Sequence, residues 1–194
     1  MKHLTVKEKE IQAFEKMKEI SGALSSEFHY KNTMAAPKLK KIILNVGTGT
    51  GLKKDKNKND FVSDRLAKIT GQKSATRGAK KSISSFKVRQ GDPIGVIVTL
   101  RGKRMYAFLE KLINIALPRT KDFRGINRTA IDNVGNLTLG IKEHTIFPET
   151  ADEDIKDVFG LSITLVSSAK NKKEGMAFFE LLGIPFKKEE EKKK

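Results

Sequence analysis

Between Arg65 and Gly91 the chain places eight cationic side chains (Arg65, Lys68, Lys73, Arg77, Lys80, Lys81, Lys87, Arg89) and not one carboxylate. A stretch of that length repels itself unless counter-ions or phosphates sit on it, so a fold has to display it at a surface. Extending to Leu109 adds Arg101, Lys103 and Arg104 against Asp92 alone. The sign then reverses. Between Asp132 and Gly160 seven acids (Asp132, Glu143, Glu149, Asp152, Glu153, Asp154, Asp157) face only Lys142 and Lys156. The whole chain of 194 residues carries 39 Lys and Arg against 23 Asp and Glu, a formal charge of +16. Such a surplus says little about fold and much about partners: it favours a polyanion, most often nucleic acid.

The residue inventory removes several classes of function. With no cysteine there is no disulfide framework, thiolate nucleophile or Cys-ligated metal cluster. His3, His29 and His144 are scattered, which argues against a histidine metal site. No apolar run approaches the roughly 18–20 residues of a membrane span, and the N-terminus lacks a signal-peptide apolar core. The expected setting is the cytosol, with no membrane partner and no cofactor or metal.

Local patterns predict an α+β chain with a largely antiparallel sheet. Thr5 and Glu8 form a capping box for a first amphipathic helix carrying Ile11, Phe14, Met17 and Leu24. Leu39–Val46 reads as a strand rich in β-branched residues. The glycines of Gly47-Thr48-Gly49-Thr50-Gly51 lack the spacing of a dinucleotide or phosphate loop, which leaves a flexible basic loop. Asn59 or Asp60 is placed to cap a second helix with Phe61, Val62, Leu66 and Ile69, stopped by Gly71. Ser82–Val88 and Ile94–Leu100 are read as strands flanking a turn at Gln90–Pro93. Met105, Phe108, Leu109, Leu112 and Ala116 mark a third helix closed by Pro118. Residues 119–136 form a long polar connection. Strands follow at Leu137–Ile141 and Leu161–Leu165, then a last helix from Lys172 to Leu182 ended by Gly183 and Pro185. Residues 1–188 are expected to make one domain, with helix 5–24 as an N-terminal extension and 189–194 as a charged tail.

Catalysis finds little support. Glu143 and His144 are the single neighbouring His–carboxylate pair, and on a strand they would point to opposite faces. Asp152 and Asp154 give the strongest enzyme reading, a Mg²⁺-dependent RNA-processing nuclease; metal-independent binding with intact RNA would discard it. A binding platform accounts for more: Lys and Arg supply phosphate affinity, and Asn45, Gln72 and Thr99 stand ready for positioning contacts. With no Trp and only Tyr30 and Tyr106, stacking on single-stranded bases is poorly supported. The balance tilts toward folded RNA read by shape, phosphate and 2′-OH.

Several blocks closely resemble the bacterial large-subunit ribosomal protein five family. They are Ile42–Gly47, Thr70–Lys73, Ala79–Ser82, Phe86–Gly95, Val98–Gly102, Leu117–Arg119, Asp122–Gly125, Ile146–Glu149 and Gly183–Phe186, collinear from about Glu27 to Lys188. The resemblance implies a structural protein attaching 5S rRNA to the central protuberance, beside 23S rRNA and neighbouring proteins there. It implies an antiparallel sheet with helices on one face and RNA on the other. Asn45, Gln72 and Thr99 match family positions at the 5S rRNA contact, with Lys73 and Arg101 beside them. The loop Ala79–Arg89 (Lys80, Lys81, Ser82, Phe86, Lys87, Arg89) matches the one reaching the peptidyl-site tRNA. Arg119, Lys121, Asp122 and Arg124 match the side meeting a small-subunit head protein in an inter-subunit bridge. This chain departs from the pattern at Ser84-Ser85, where Ala-Gly is common, in its Lys-rich Thr48–Lys58 segment, and in a longer N-terminal lead.

Overall fold

The computed structural model describes residues 19–49, 57–121, 123–150 and 158–187. Five strands form one sheet: β1 (Leu39–Gly47), β2 (Ala75–Gly78), β3 (Pro93–Leu100), β4 (Leu137–Ile141) and β5 (Leu161–Ser167). Their order is β2-β3-β1-β5-β4 and every pairing is antiparallel. The sheet is central because β1, with Ile42, Leu44 and Val46 on one side, is paired along both edges. The α+β expectation is met.

The pleat sends alternate residues to opposite faces. Ile42, Leu44 and Val46 of β1, Val96, Val98 and Leu100 of β3, and Leu161, Ile163 and Leu165 of β5 are all buried. Against that face lie the helices. Helix α1 (residues 19–28) contributes Ile20 and Leu24; the predicted capping box at Thr5 and Glu8, with Ile11, Phe14 and Met17, falls outside the described residues. Helix α2 (Lys58–Thr70) contributes Val62, Leu66 and Ile69 and lies against β3. Helix α3 (Gly102–Lys111) contributes Met105, Phe108 and Leu109. Full burial of side chains of this size is worth about 1.5–3 kcal/mol each, so this layer is what holds the sheet.

Some local expectations change. Asn57, not Asn59 or Asp60, precedes α2 as its N-cap residue, and its side chain makes no cap hydrogen bond. Asn59 is instead buried: it accepts from the Thr48 hydroxyl and donates Nδ2 to the Pro93 carbonyl at 2.9 Å, tying the end of β1 to the start of β3. Gly71 does stop α2, in the left-handed conformation (φ 68°), its N–H reaching the Ala67 carbonyl at 2.8 Å. Pro118 does not close the third helix. The coil widens to a π turn over Leu112–Ala116 and continues as α4 (Leu117–Arg119). A proline ring clashes with the carbonyl four residues earlier in a regular α-helix, and the wider turn just before it relieves that contact.

The segment after α4 is pinned rather than loose. Ile126 bridges Phe186, a 3₁₀ turn spans Arg128–Ala130, and Ile131 bridges Leu137. Helix α5 (Lys172–Leu181) starts at Asn171, whose side chain accepts the Glu174 N–H at 2.9 Å. It buries Phe178 and Phe179. His144 lies in a 3₁₀ turn after β4, not on a strand. It is fully buried, stacked on Phe159 with ring centroids 4.0 Å apart, while Nδ1 accepts the Phe159 N–H at 3.3 Å. Glu143 beside it is exposed, so the two form no catalytic pair.

Candidate nucleic-acid interface

The sheet face away from α2 and α3 carries small and polar residues in register. In one row Thr138 faces Thr164, Thr164 faces Ile43, and Ile43 faces Thr99. The next row runs Gly140, Ser162, Asn45, Ile97, Ala75, and a third joins Gly47, Gly95 and Arg77. The Thr138 and Thr164 hydroxyls are 3.2 Å apart, and the Ser162 hydroxyl donates to the Asn45 carbonyl at 3.3 Å. No carboxylate stands in these rows.

On this face Asn45 is exposed and Thr99 half-buried. They sit diagonally on neighbouring strands, a geometry that places side chains about 7–8 Å apart. Gln72 follows the end of α2 and joins them: its Nε2 donates to the Thr99 carbonyl at 3.1 Å, and its Oε1 accepts from Arg104 Nη1 at 3.3 Å. Three residues far apart in the chain are thus brought to one place. Lys73 is exposed between α2 and β2. Arg101 is exposed and extended (φ −141°, ψ 162°) just before α3; following buried Leu100, it alternates back toward the open face.

Residues 79–92 do not form the expected strand at Ser82–Val88. They make an arm that leaves the sheet between β2 and β3. The Ala79 N–H reaches the Asp92 carbonyl (2.8 Å) and the Gly91 N–H the Ala79 carbonyl (3.0 Å) at the base. Ile83 and Val88 bridge near the tip, which a 3₁₀ turn over Ser84–Phe86 and a left-handed Lys87 (φ 53°) close. Ser84 and Ser85 lie in this turn. The arm has no neighbouring strand to extend a ladder, so its apolar residues stay outside: Phe86 is 61% and Ile83 46% exposed. Lys80, Lys81, Ser82, Phe86, Lys87 and Arg89 are all exposed. Ser82 serves the arm itself, its hydroxyl accepting the Gln90 N–H at 2.9 Å, and Asp92 accepts the Arg89 N–H at 2.7 Å.

Arg119 ends α4, and Arg119, Lys121 and Arg124 are exposed on the connection that follows; Asp122 lies outside the described residues. So do Asp152 and Asp154. Glu149, at the edge of that acidic run, pairs with Lys111, whose Nζ also donates to the Ile69 carbonyl at 2.9 Å. Among the described residues no cluster of His, Asp and Glu is set to hold a metal ion, and no helix is long and apolar enough to cross a membrane.

Three parts of this surface were not among the predicted site residues. Arg77 lies on the open face at the arm's root, Arg104 is held by Gln72, and the Thr138–Thr164–Ser162 ladder extends the polar face beyond β1. Strand β2 around Arg77 is exposed throughout, whereas for Thr138, Ser162 and Thr164 alternation with buried neighbours was the available signal. Strand order was not.

A neutral polar sheet face flanked by exposed cations, with a basic arm at one end, is a platform for a polyanion. Residues 32–89 match the family described as ribosomal protein L5, and residues 93–186 match the model of that family's C-terminus. The large ribosomal subunit protein uL5 of Trichlorobacter lovleyi is 48% identical over 169 residues, covering 87% of this chain and 94% of that protein. The uL5 protein of Desulfatibacillum aliphaticivorans is 49% identical over 174 residues (90% and 97%), and that of Lawsonia intracellularis 50% over 166 residues (86% and 92%). The chain is therefore a structural, rRNA-binding component of the large ribosomal subunit and not an enzyme. It belongs to the ribosomal protein L5 family.

Proposed function

We propose that the open sheet face binds 5S rRNA and fixes it in the central protuberance of the large subunit, next to 23S rRNA and neighbouring proteins. Asn45 and Thr99 supply polar contacts to the RNA, Gln72 holds Arg104 at its border, and Lys73 and Arg101 meet phosphates. The basic arm, through Lys80, Lys81, Ser82, Phe86, Lys87 and Arg89, extends to the peptidyl-site tRNA. The exposed Arg119, Lys121 and Arg124 side meets a small-subunit head protein, with Asp122 in the same segment. One observation supports the reading most: Asn45, Gln72 and Thr99, distant in the chain, converge on a sheet face whose rows carry no acid.

The test is a binding titration with a 5S rRNA transcript. Asn45 is exposed and its loss leaves the core intact, so Asn45→Ala reports the contact itself. It is expected to weaken binding by about 1–3 kcal/mol, the worth of a hydrogen bond to a charged or buried partner. In that titration Lys80→Glu with Lys81→Glu is expected to spare 5S rRNA affinity, and in assembled ribosomes the same variant is expected to weaken tRNA retention. Unchanged affinity in Asn45→Ala would remove that residue from the interface. Loss of 5S rRNA binding in the arm variant would overturn the division of roles.

A further inference from the structure

The chain holds eleven serines, all within the described residues. Most have a hydroxyl engaged in the fold. Ser25, Ser26, Ser162 and Ser167 donate to backbone carbonyls, Ser63 and Ser74 bond each other, and Ser82 and Ser168 accept backbone N–H groups. Ser21 is buried in α1. Ser84 and Ser85, at the tip of the arm, differ from all of these. Both are exposed, and neither hydroxyl has a hydrogen-bond partner among the described residues.

The arm presents this pair away from the body. Ala79 bonds Asp92 and Gly91 at the base, and Ile83 bridges Val88 closer to the tip. The turn beyond is closed by one backbone bond, from the Lys87 N–H to the Ser84 carbonyl at 2.9 Å, with Lys87 left-handed (φ 53°). That conformation strains a residue bearing a side chain. Opening the turn therefore loses one solvent-exposed bond and relieves Lys87, so the tip is the part of the arm most readily drawn out into an enzyme's cleft.

Charge around the pair is of one sign. Lys80 and Lys81 precede it, Lys87 and Arg89 follow it, and the nearest carboxylates along the chain are Asp64 and Asp92. Asp92 is turned to the Arg89 N–H at 2.7 Å. Such a segment is steered and set in register by a protein cleft lined with carboxylates. The exposed Ile83 and Phe86 offer that cleft apolar contacts on either side of the two hydroxyls.

We propose that the Ser84–Ser85 pair is a phosphorylation site, modified by a protein serine kinase that reads the flanking cations. A serine hydroxyl oxygen attacks the γ-phosphorus of a nucleoside triphosphate. The new O–P bond forms as the bond to the β–γ bridging oxygen breaks, the nucleoside diphosphate leaves, and the hydroxyl proton passes to the kinase's base. The phosphoryl group brings about −1.5 to −2 charges at pH 7, so one modification cancels close to half the charge of the arm's four cations. It also gives Lys81 and Lys87 a partner within the arm. Both effects loosen the arm's hold on RNA phosphate and leave Asn45, Gln72 and Thr99 untouched. That consequence rests on the tRNA-contacting reading of the arm; the modification itself does not.

The test incubates the full chain with γ-labelled ATP and an extract of the cells that make it, and maps the label by peptide mass spectrometry. Label is expected at Ser84 or Ser85 and is expected to be lost in Ser84→Ala with Ser85→Ala. The turn uses only backbone atoms of these residues, so that variant should melt as wild type does. Lys80→Gln with Lys81→Gln should slow labelling about tenfold or more. No label, label confined to other residues, or equal label in the alanine variant overturns the proposal, and an unchanged rate in the lysine variant overturns the recognition by cations. Ser84→Glu with Ser85→Glu should lower tRNA retention in assembled ribosomes and leave 5S rRNA transcript affinity within about twofold; unchanged retention overturns the effect on RNA. Should Lys80→Glu with Lys81→Glu also leave tRNA retention unchanged, the arm's function proposed above falls, and the labelling still decides this site.

Discussion

Three donors converge on the Asp132 carboxylate although it stands at the surface. The N–H groups of Val134 (3.0 Å) and Asn136 (2.7 Å) reach Oδ1, and Asn136 Nδ2 reaches Oδ2 at 2.9 Å. Burial opposes ionisation, but these bonds outweigh it and hold the carboxyl below the usual carboxylate range. A depressed carboxylate stabilises the folded chain above its unfolded pKa, near ~3.9, and that contribution disappears as pH falls through the lower folded value. Asp132→Asn is therefore expected to melt at a lower temperature than wild type at pH 7, with the gap narrowing below about pH 4. Melting curves across that range check it. A gap constant with pH would show that the charge plays no part and that only the turn geometry matters. The loop matters beyond itself, because it leads into β4 and carries Gly135 to the start of α5.

Elements meet most tightly where Gly135 and Gly175 touch. A Cβ on Gly175 would lie 2.6 Å from the Gly135 Cα and 2.9 Å from its carbonyl oxygen. Ala in place of Gly in a helix gains about 1 kcal/mol of propensity, while overpacking against fixed backbone costs about 1–3 kcal/mol. With backbone on both sides the clash wins, so Gly175→Ala is expected to lose up to about 2 kcal/mol in urea unfolding. A variant as stable as wild type would mean the loop and α5 part easily. Elements were also the level at which the sequence was most readable. Leu39–Val46 announced β1 through Ile42, Leu44 and Val46, and Gly71 marked the end of α2, because both signals are local. Ser82–Val88 misled for a physical reason: Ile83, Phe86 and Val88 look like a strand, yet no neighbouring strand lies beside them to bury that face. The bulge at Lys40–Lys41 was unreadable for a related reason, since it exists only relative to β5, more than a hundred residues away.

At the scale of the whole molecule, strand order decides which residues become neighbours, and no local pattern carries it. Asn45, Gln72 and Thr99 could be named singly, but only the order β2-β3-β1-β5-β4 places Asn45 between Ser162 and Ile97 and brings Gln72 to Thr99. Cations stand at both ends of the paired strands, the arm and Arg77 at one and Arg101 with Lys40 and Lys41 at the other, with uncharged side chains between them. RNA held on such a frame is drawn by cations at the border and positioned by short polar groups at the centre. Each cation that meets a phosphate releases a counter-ion, so affinity falls with salt by about 0.7–0.9 of a log unit per log unit of salt for every contact. If about six phosphates are met, 5S rRNA affinity is expected to fall on the order of 10³-fold between roughly 50 and 200 mM salt. Asn45→Ala, which removes no charge, should shift the whole line downward without changing its slope, whereas neutralising Arg101 should reduce the slope by about one. Equilibrium titrations at four or more salt concentrations distinguish the two. A flat response would mean that the cationic border does not touch phosphate, and a steeper line for Asn45→Ala would mean that the centre and the border are not separable.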